Sequence, residues 1–204
     1  MRRRTFDVLV GTGGLLLVVV LAVAGGLLTW AHNYVGSQVH NQLAMQEISF
    51  PTTSNAEFKA LPANDKAAMA KYAGQPLLTG AQAETYADHF IAFHLSKMPF
   101  GGVYSKVSGA ALAAPAGSTQ QAALQKLEST VFQGTTLRGL LLEAYAFGTV
   151  AVIAGWAAVT SFASAGLMLV LSLLGLYHSR RVTGDVEVLP QRAQPARRSA
   201  AVAS

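Results

Sequence analysis

Two long stretches of this 204-residue chain carry no charge, and any fold must give both an apolar environment. The first runs from Val8 to Ala31 and is mostly Leu, Val, Ala and Gly. As a helix, Val8 to Trp30 is about 33 Å long, which matches a hydrocarbon core of about 30 Å. The second runs from Ala144 to Tyr177, about 50 Å as a helix and longer than one crossing needs. Its aromatics mark the part expected in lipid. Trp156 and Tyr177 stand about 32 Å apart on a helix, as Trp and Tyr at two interfaces should. The sequence therefore predicts transmembrane helices over residues 8–30 and 156–177. A domain spans 31–155 between them, after a basic N-terminus (1–7). A basic tail (178–204) has Pro, Ala and Arg without periodicity and is expected to be disordered.

The composition agrees. Charged residues make up 12% of the chain, half of the roughly 25% usual in soluble domains. The opening MRRR and the small-residue run Ala22-Val23-Ala24 resemble a cleavable signal peptide. However, the apolar run continues to Trp30, beyond the roughly 7–15 residues of a signal's apolar region. A retained anchor is the expectation. The chain has no cysteine, which removes disulfides, thiolate metal sites and cysteine nucleophiles from consideration.

The net charge of +5 sits at the two ends. Arg2, Arg3 and Arg4 precede the first apolar run; Arg180, Arg181, Arg192, Arg197 and Arg198 follow the second. Between the runs, seven basic and seven acidic residues cancel. Basic flanks on one side of both spans are the positive-inside pattern, which places both termini in the cytosol and the middle outside. No basic patch with interleaved aromatics supports a nucleic-acid partner.

The middle reads as helices punctuated by breakers, an all-α domain. Ser54-x-x-Glu57, Thr79-x-x-Gln82 and Ser118-x-x-Gln121 have capping-box spacing. Asn64 can cap a helix ending at Gly74. Helical stretches also precede Pro99, Pro115 and Gly134. Ala83, Ala87, Phe90, Ile91 and His94 share one helix side, and Ala123, Leu124, Leu127 and Val131 another, as core stripes do. No stretch alternates in the manner of a strand.

Few residues suggest chemistry. Gly11-Thr12-Gly13-Gly14 starts like a dinucleotide fingerprint but lacks the preceding strand and downstream acid; these glycines are read as sites of close helix approach. Small residues four apart (Ala22 and Gly26; Ala151 and Gly155; Ala157, Ser161 and Ala165) form a candidate helix-packing face. Neither span holds an ionisable residue of the kind that lines transport paths. Glu84, Asp88 and His89 form a weak polar cluster, in which Glu84 and Asp88 are like charges four apart on one face. His89 and His94 are about 140° apart around a helix, too far to chelate one ion. No metal, cofactor or catalytic residue is expected.

The stretches QGTTLRGLLLEAYAF (133–147), AETYADHFIAFHL (83–95) and GGLLTW (25–30) resemble a group of two-span actinobacterial membrane proteins with no assigned activity. The likeness runs from residue 1 to about 181 and implies a cell-membrane setting. The leading expectation is a non-enzymatic accessory or scaffold protein of the bacterial plasma membrane. Its partners would be the lipid bilayer and another membrane or envelope protein. A ligand-binding sensor is the alternative, and an outward-facing hydrolase or metal-dependent enzyme stands behind it.

Overall fold

The computed structural model describes residues 3–181; the sequence expectation for the tail beyond Arg181 lies outside the described residues. Two helices frame the chain: α1 (Arg3–Ala44) and α7 (Thr119–Arg181). Both are long and apolar enough to cross a membrane. Between them come α2 (Ala56–Ala60), α3 (Ala63–Ala70), α4 (Gly80–Tyr86), a π-helical turn (Ala87–Ile91), α5 (Ala92–Ser96), a 3-10 turn (Pro99–Gly102) and α6 (Tyr104–Ala113). Among the described residues there is no strand, only one isolated bridge between Ser49 and Pro76. The chain divides into two compact units. One comprises α1 up to Gly26 with α7 from Ala158, and the other is Leu27–Ala157.

In the first unit α1 and α7 pack antiparallel through glycines. A Cβ on Gly11 would stand 2.7 Å from the Leu176 side chain. One on Gly14 would overlap the Ser172 hydroxyl, and one on Gly25 would meet the Phe162 ring at 2.9 Å. The sequence reading of close approach holds for Gly11 and Gly14 but not for Gly13, where a Cβ would meet nothing within 4 Å. Leu, Val and Phe elsewhere on both helices are exposed, the arrangement expected of helices whose solvent is hydrocarbon.

The second unit has an ordinary aliphatic and aromatic core. It includes Leu43, Phe50, Phe58, Leu61, Met69, Leu77, Ala87, Ile91 and Leu141. Its first connection is a backbone clasp: Phe50 N–H donates to Gln75 O at 2.9 Å, and Leu77 N–H to Ile48 O at 2.9 Å. Gly74, at φ +74°, makes the turn that allows it. The clasp is local and extended, which breaker-counting could not show.

The capping box at Thr79 and Gln82 is present as its spacing implied. The Gln82 amide oxygen also accepts from Leu78 N–H at 2.8 Å. It thereby offsets the cost of burying that side chain. Ser118 accepts from Gln121 N–H at 3.1 Å. Two other cap assignments shift: the cap of α2 is Asn55, not Ser54, and α3 starts at Ala63 after Pro62, ahead of Asn64. Pro62 has no side-chain acceptor to offer α3, and its carbonyl accepts the first helical bond, from Lys66 N–H at 2.9 Å.

Gly134 does not end a helix. The chain continues helically from Thr119 to Arg181, and Gly134 is a notch: a Cβ there would lie 2.8 Å from Leu95 Cδ2. Gly80 is a second notch. Its Cβ would stand 3.0 Å from Ala144 O and 3.1 Å from Tyr145 Cα, and a Cβ on Gly148 would stand 3.2 Å from Gly80 Cα. These neighbours are backbone, which cannot swing aside. Gly80→Ala should therefore lower unfolding stability by about 1–3 kcal/mol. Gly139→Ala, where a Cβ meets nothing within 4 Å, should be neutral or stabilising by up to about 1 kcal/mol. Thermal unfolding of the two variants in detergent checks the contrast.

Candidate functional site

The polar cluster Glu84, Asp88 and His89 does not converge. The π-helical turn widens the helix by one residue at Ala87–Ile91 and points its polar side chains to different neighbours. Arg138 Nη2 of α7 donates to Asp88 Oδ1 at 2.6 Å. His89 Nδ1 lies 2.8 Å from Asp65 Oδ1 of α3. Glu84 takes part in neither pair. All four paired side chains are 21–39% exposed, so each pair contributes at most about 1 kcal/mol. Their effect is to tie the turn to α3 on one side and α7 on the other. Among the described residues no three His, Asp or Glu side chains gather as metal ligands. Burial, with the negative charge of Glu57 adding to it, raises the Tyr86 phenol above its ordinary value of 10. The phenol therefore stays neutral at physiological pH and serves packing: its ring meets Phe50 edge-on at 5.3 Å.

The small residues sort differently from the four-residue ridge. On α1, Ala22 and Gly26 are exposed, and nothing lies within 4 Å of a Cβ placed on Gly26. The buried edge runs instead through Gly11, Gly14 and Gly25. On α7, Ala151 and Ala165 are buried, whereas Gly155, Ala157 and Ser161 are half-buried. The buried series there is Ala151, Ala158, Ala165, Ser172 and Ser179. It recurs every seven residues, not every four. A seven-residue repeat keeps one edge of a helix against an antiparallel neighbour at a shallow crossing angle.

Gly155 has a specific use within the second unit. A Cβ there would stand 2.9 Å from the His32 ring. The missing side chain lets His32 Nδ1 reach Ala151 O at 2.7 Å. Nδ1–H is the donor, since a carbonyl only accepts.

Two features that sequence reasoning missed are surface shapes. The first is a groove of about 430 Å³ between α1 and α7 in the second unit. Its floor is aliphatic (Val39, Leu43, Leu141), Tyr34 and Phe147 stand at one end, and the only charged residue lining it is Glu143. Gln38, Gln42 and Gln46 edge its α1 side at four-residue intervals. That glutamine ladder is the signal in the sequence that could have located it.

The second is an aromatic tip. Phe100, Gly101 and Gly102 are all left-handed, at φ +60°, +66° and +65°. Gly102 sits so close to Leu95 that its Cβ would overlap the Leu95 carbonyl. Phe100 has no such excuse. A bulky residue at positive φ costs about 1–3 kcal/mol, yet its side chain is 46% exposed. Nearby in sequence, Val103 and Tyr104 are also exposed, and Tyr104 meets the exposed Phe132 of α7 at 5.7 Å.

Comparison with protein-family models, with curated proteins and with solved structures finds no match, so geometry alone bears on the site. At the His32 notch, Gly155→Val should expel the ring and cost about 1–3 kcal/mol. In a His32→Ala background the same change should cost at least about 0.5 kcal/mol less. A double-mutant cycle by thermal unfolding measures that coupling, and additivity would show that ring and notch are independent.

Proposed function

We propose that this chain is a non-enzymatic accessory or scaffold protein of the bacterial plasma membrane, with its helical domain contacting another membrane or envelope protein. In this reading α1 and α7 each cross the bilayer once. Both termini lie in the cytosol, and the domain between the spans is extracytoplasmic. The arginines beyond both apolar runs support that orientation. The apolar faces that α1 and α7 leave exposed support a lipid setting. The resemblance to two-span actinobacterial proteins supports a bacterial one.

The observation that carries the protein contact is the aromatic tip. A stability cost is borne to hold Phe100 in the left-handed region, and the ring is not used to fill the core. Strain held at an exposed aromatic fits recognition better than folding. Tyr104 and Phe132 supply the neighbouring aromatic surface, and aromatics are enriched where one protein anchors on another. Along α7, Phe132 stands about 22 Å from Phe147, which would set the tip away from the membrane surface.

Two measurements check this. A cysteine at Lys97 should react with a membrane-impermeant reagent on intact cells, and one at Arg192 only after lysis; the reverse pattern would invert the topology. Phe100→Gly relieves the left-handed strain and should raise stability by about 1 kcal/mol. It should nevertheless abolish co-purification of a stoichiometric partner in mild detergent. A partner retained at full yield by both Phe100→Gly and Phe132→Ala would remove the tip from the contact.

A further inference from the structure

We infer that the groove between α1 and α7 binds the hydrocarbon tail of a single-chain amphiphile with an uncharged, hydroxyl- or amide-bearing head. The inference rests on the membrane reading above and is independent of the aromatic tip.

Size comes first. The groove has a volume of about 430 Å³. Its α1 wall runs from Tyr34 to Gln46, about 18 Å of helix. A polymethylene chain is about 4–5 Å thick at carbon contact distances, so the same length of it occupies about 300 Å³. A helix about 10 Å thick would need about 1,400 Å³ over that length. The groove therefore accommodates one extended chain and could seat only the side-chain edge of a helix.

The floor agrees with that occupant. Val39, Leu43 and Leu141 are 9%, 4% and 2% exposed and offer no hydrogen-bonding group. An extended peptide laid there would leave backbone N–H and C=O groups unpaired, at a cost of about 1–3 kcal/mol each. A hydrocarbon tail has nothing to leave unpaired.

The two ends differ in chemistry. Tyr34 and Phe147 flank one end, and the helix faces beyond them carry exposed Leu27, Trp30, Val150 and Ile153. Trp30 stacks on Tyr34 at 5.4 Å, an aromatic pair suited to the boundary between lipid and water. A tail leaving the adjacent leaflet would meet apolar surface all the way into the groove. Along the α1 wall Gln38, Gln42 and Gln46 present amide donors and acceptors at successive turns, ending with Gln46 at the far end from Tyr34. Among the described residues none of these three side chains is hydrogen-bonded within the protein. Glu143 is the only charged residue in the lining, and it disfavours an anionic head. The polar edge thus suits a neutral head such as a glycerol, and discriminates against a carboxylate.

The test uses the full chain in phosphatidylcholine nanodiscs, with a monoacylglycerol carrying a photoreactive diazirine near the tail end as probe. Cross-linked peptides should map to the groove walls, 34–46 and 137–147, and be displaced by unlabelled monoacylglycerol. Leu140→Trp and Gln42→Trp alter exposed positions and should fill the groove without disturbing the core. Each should cut groove labelling by more than about tenfold, since losing two buried methylenes already costs about that much. Labelling within 8–30 and 158–177 should not change. A diazirine fatty acid should label the groove less than the monoacylglycerol does, and Glu143→Gln should narrow that gap. Labelling confined to the spans, or groove labelling that neither tryptophan reduces, would overturn the inference. So would a cysteine at Gln42 that cross-links to another polypeptide in place of the probe, which would make the groove a helix-docking site. Failure of the membrane reading looks different: the chain would then not enter nanodiscs, and no span residue would be labelled.

Discussion

The spacing of small side chains along α7 is the constraint on which the rest depends. Ala144, Ala151, Ala158, Ala165, Ser172 and Ser179 fall every seven residues and present one shielded edge over more than half of the helix. On such an edge a neighbouring helix can approach until backbone nearly meets backbone. In the first unit Gly14 answers Ser172, while Gly11 and Gly25 make room for the Leu176 side chain and the Phe162 ring beside that edge. Hydrocarbon offers no hydrophobic drive to push two apolar helices together, so close packing supplies the attraction. In the second unit the edge meets different partners: His32 near Ala151 and Gly155, and Gly80 near Ala144 and Gly148. Small residues there serve as receptors for a ring and a helix start.

The second unit is held in a way more familiar from soluble proteins, with large buried side chains and paired polar groups. Its Asp88–Arg138 ion pair and Asp65–His89 hydrogen bond are part-exposed and weak, and its stability comes from residues such as Met69, Leu77, Val107 and Val131, all nearly or wholly buried. What is unusual is how much apolar surface is left uncovered. The aromatic tip lies outside the core cluster, and the groove has the core residues Val39, Leu43 and Leu141 for its floor; neither uncovered surface is explained by folding. Each departs from what burial alone would arrange, which makes them the places where recognition chemistry can reside.

The residues that betrayed the fold before any coordinates were those with one physical meaning. Charge-free runs of helix-forming residues mark long apolar helices, and Thr79 with Gln82 marks a capping box. Alternation, the signature of strands, is missing, and the described chain is helical. Glycine was ambiguous. Gly74 and Gly101 mark turns, but Gly134 and Gly148 lie within a continuous helix as points of close approach. A single sequence does not separate those roles, because both need only the absence of a side chain. The ridge read at Ala22 and Gly26 is not the edge that meets α7: four-residue pairs arise freely in Ala- and Gly-rich helices, while the seven-residue series needs a longer window to be noticed. The groove and the tip were not legible because each joins residues far apart in the chain. Tyr34 and Phe147 are brought together by folding, as are Tyr104 and Phe132.

The π-helical turn at Ala87–Ile91 imposes an arithmetic constraint. One residue more or fewer in an α-helix rotates everything after it by about 100°. Asp88 reaches α7 and the adjacent His89, about 100° further round, reaches α3, while the wider turn accommodates a supernumerary residue. Ala83 before it, Ala87 and Ile91 at its two ends, and Leu95 after it all face the same interior. A single-codon deletion inside this turn would therefore let it close to an ordinary α-helical turn with Leu95 still facing the interior, whereas one further inserted residue would rotate Leu95 away by about 100°. In this segment the wider turn is where a change of chain length is absorbed.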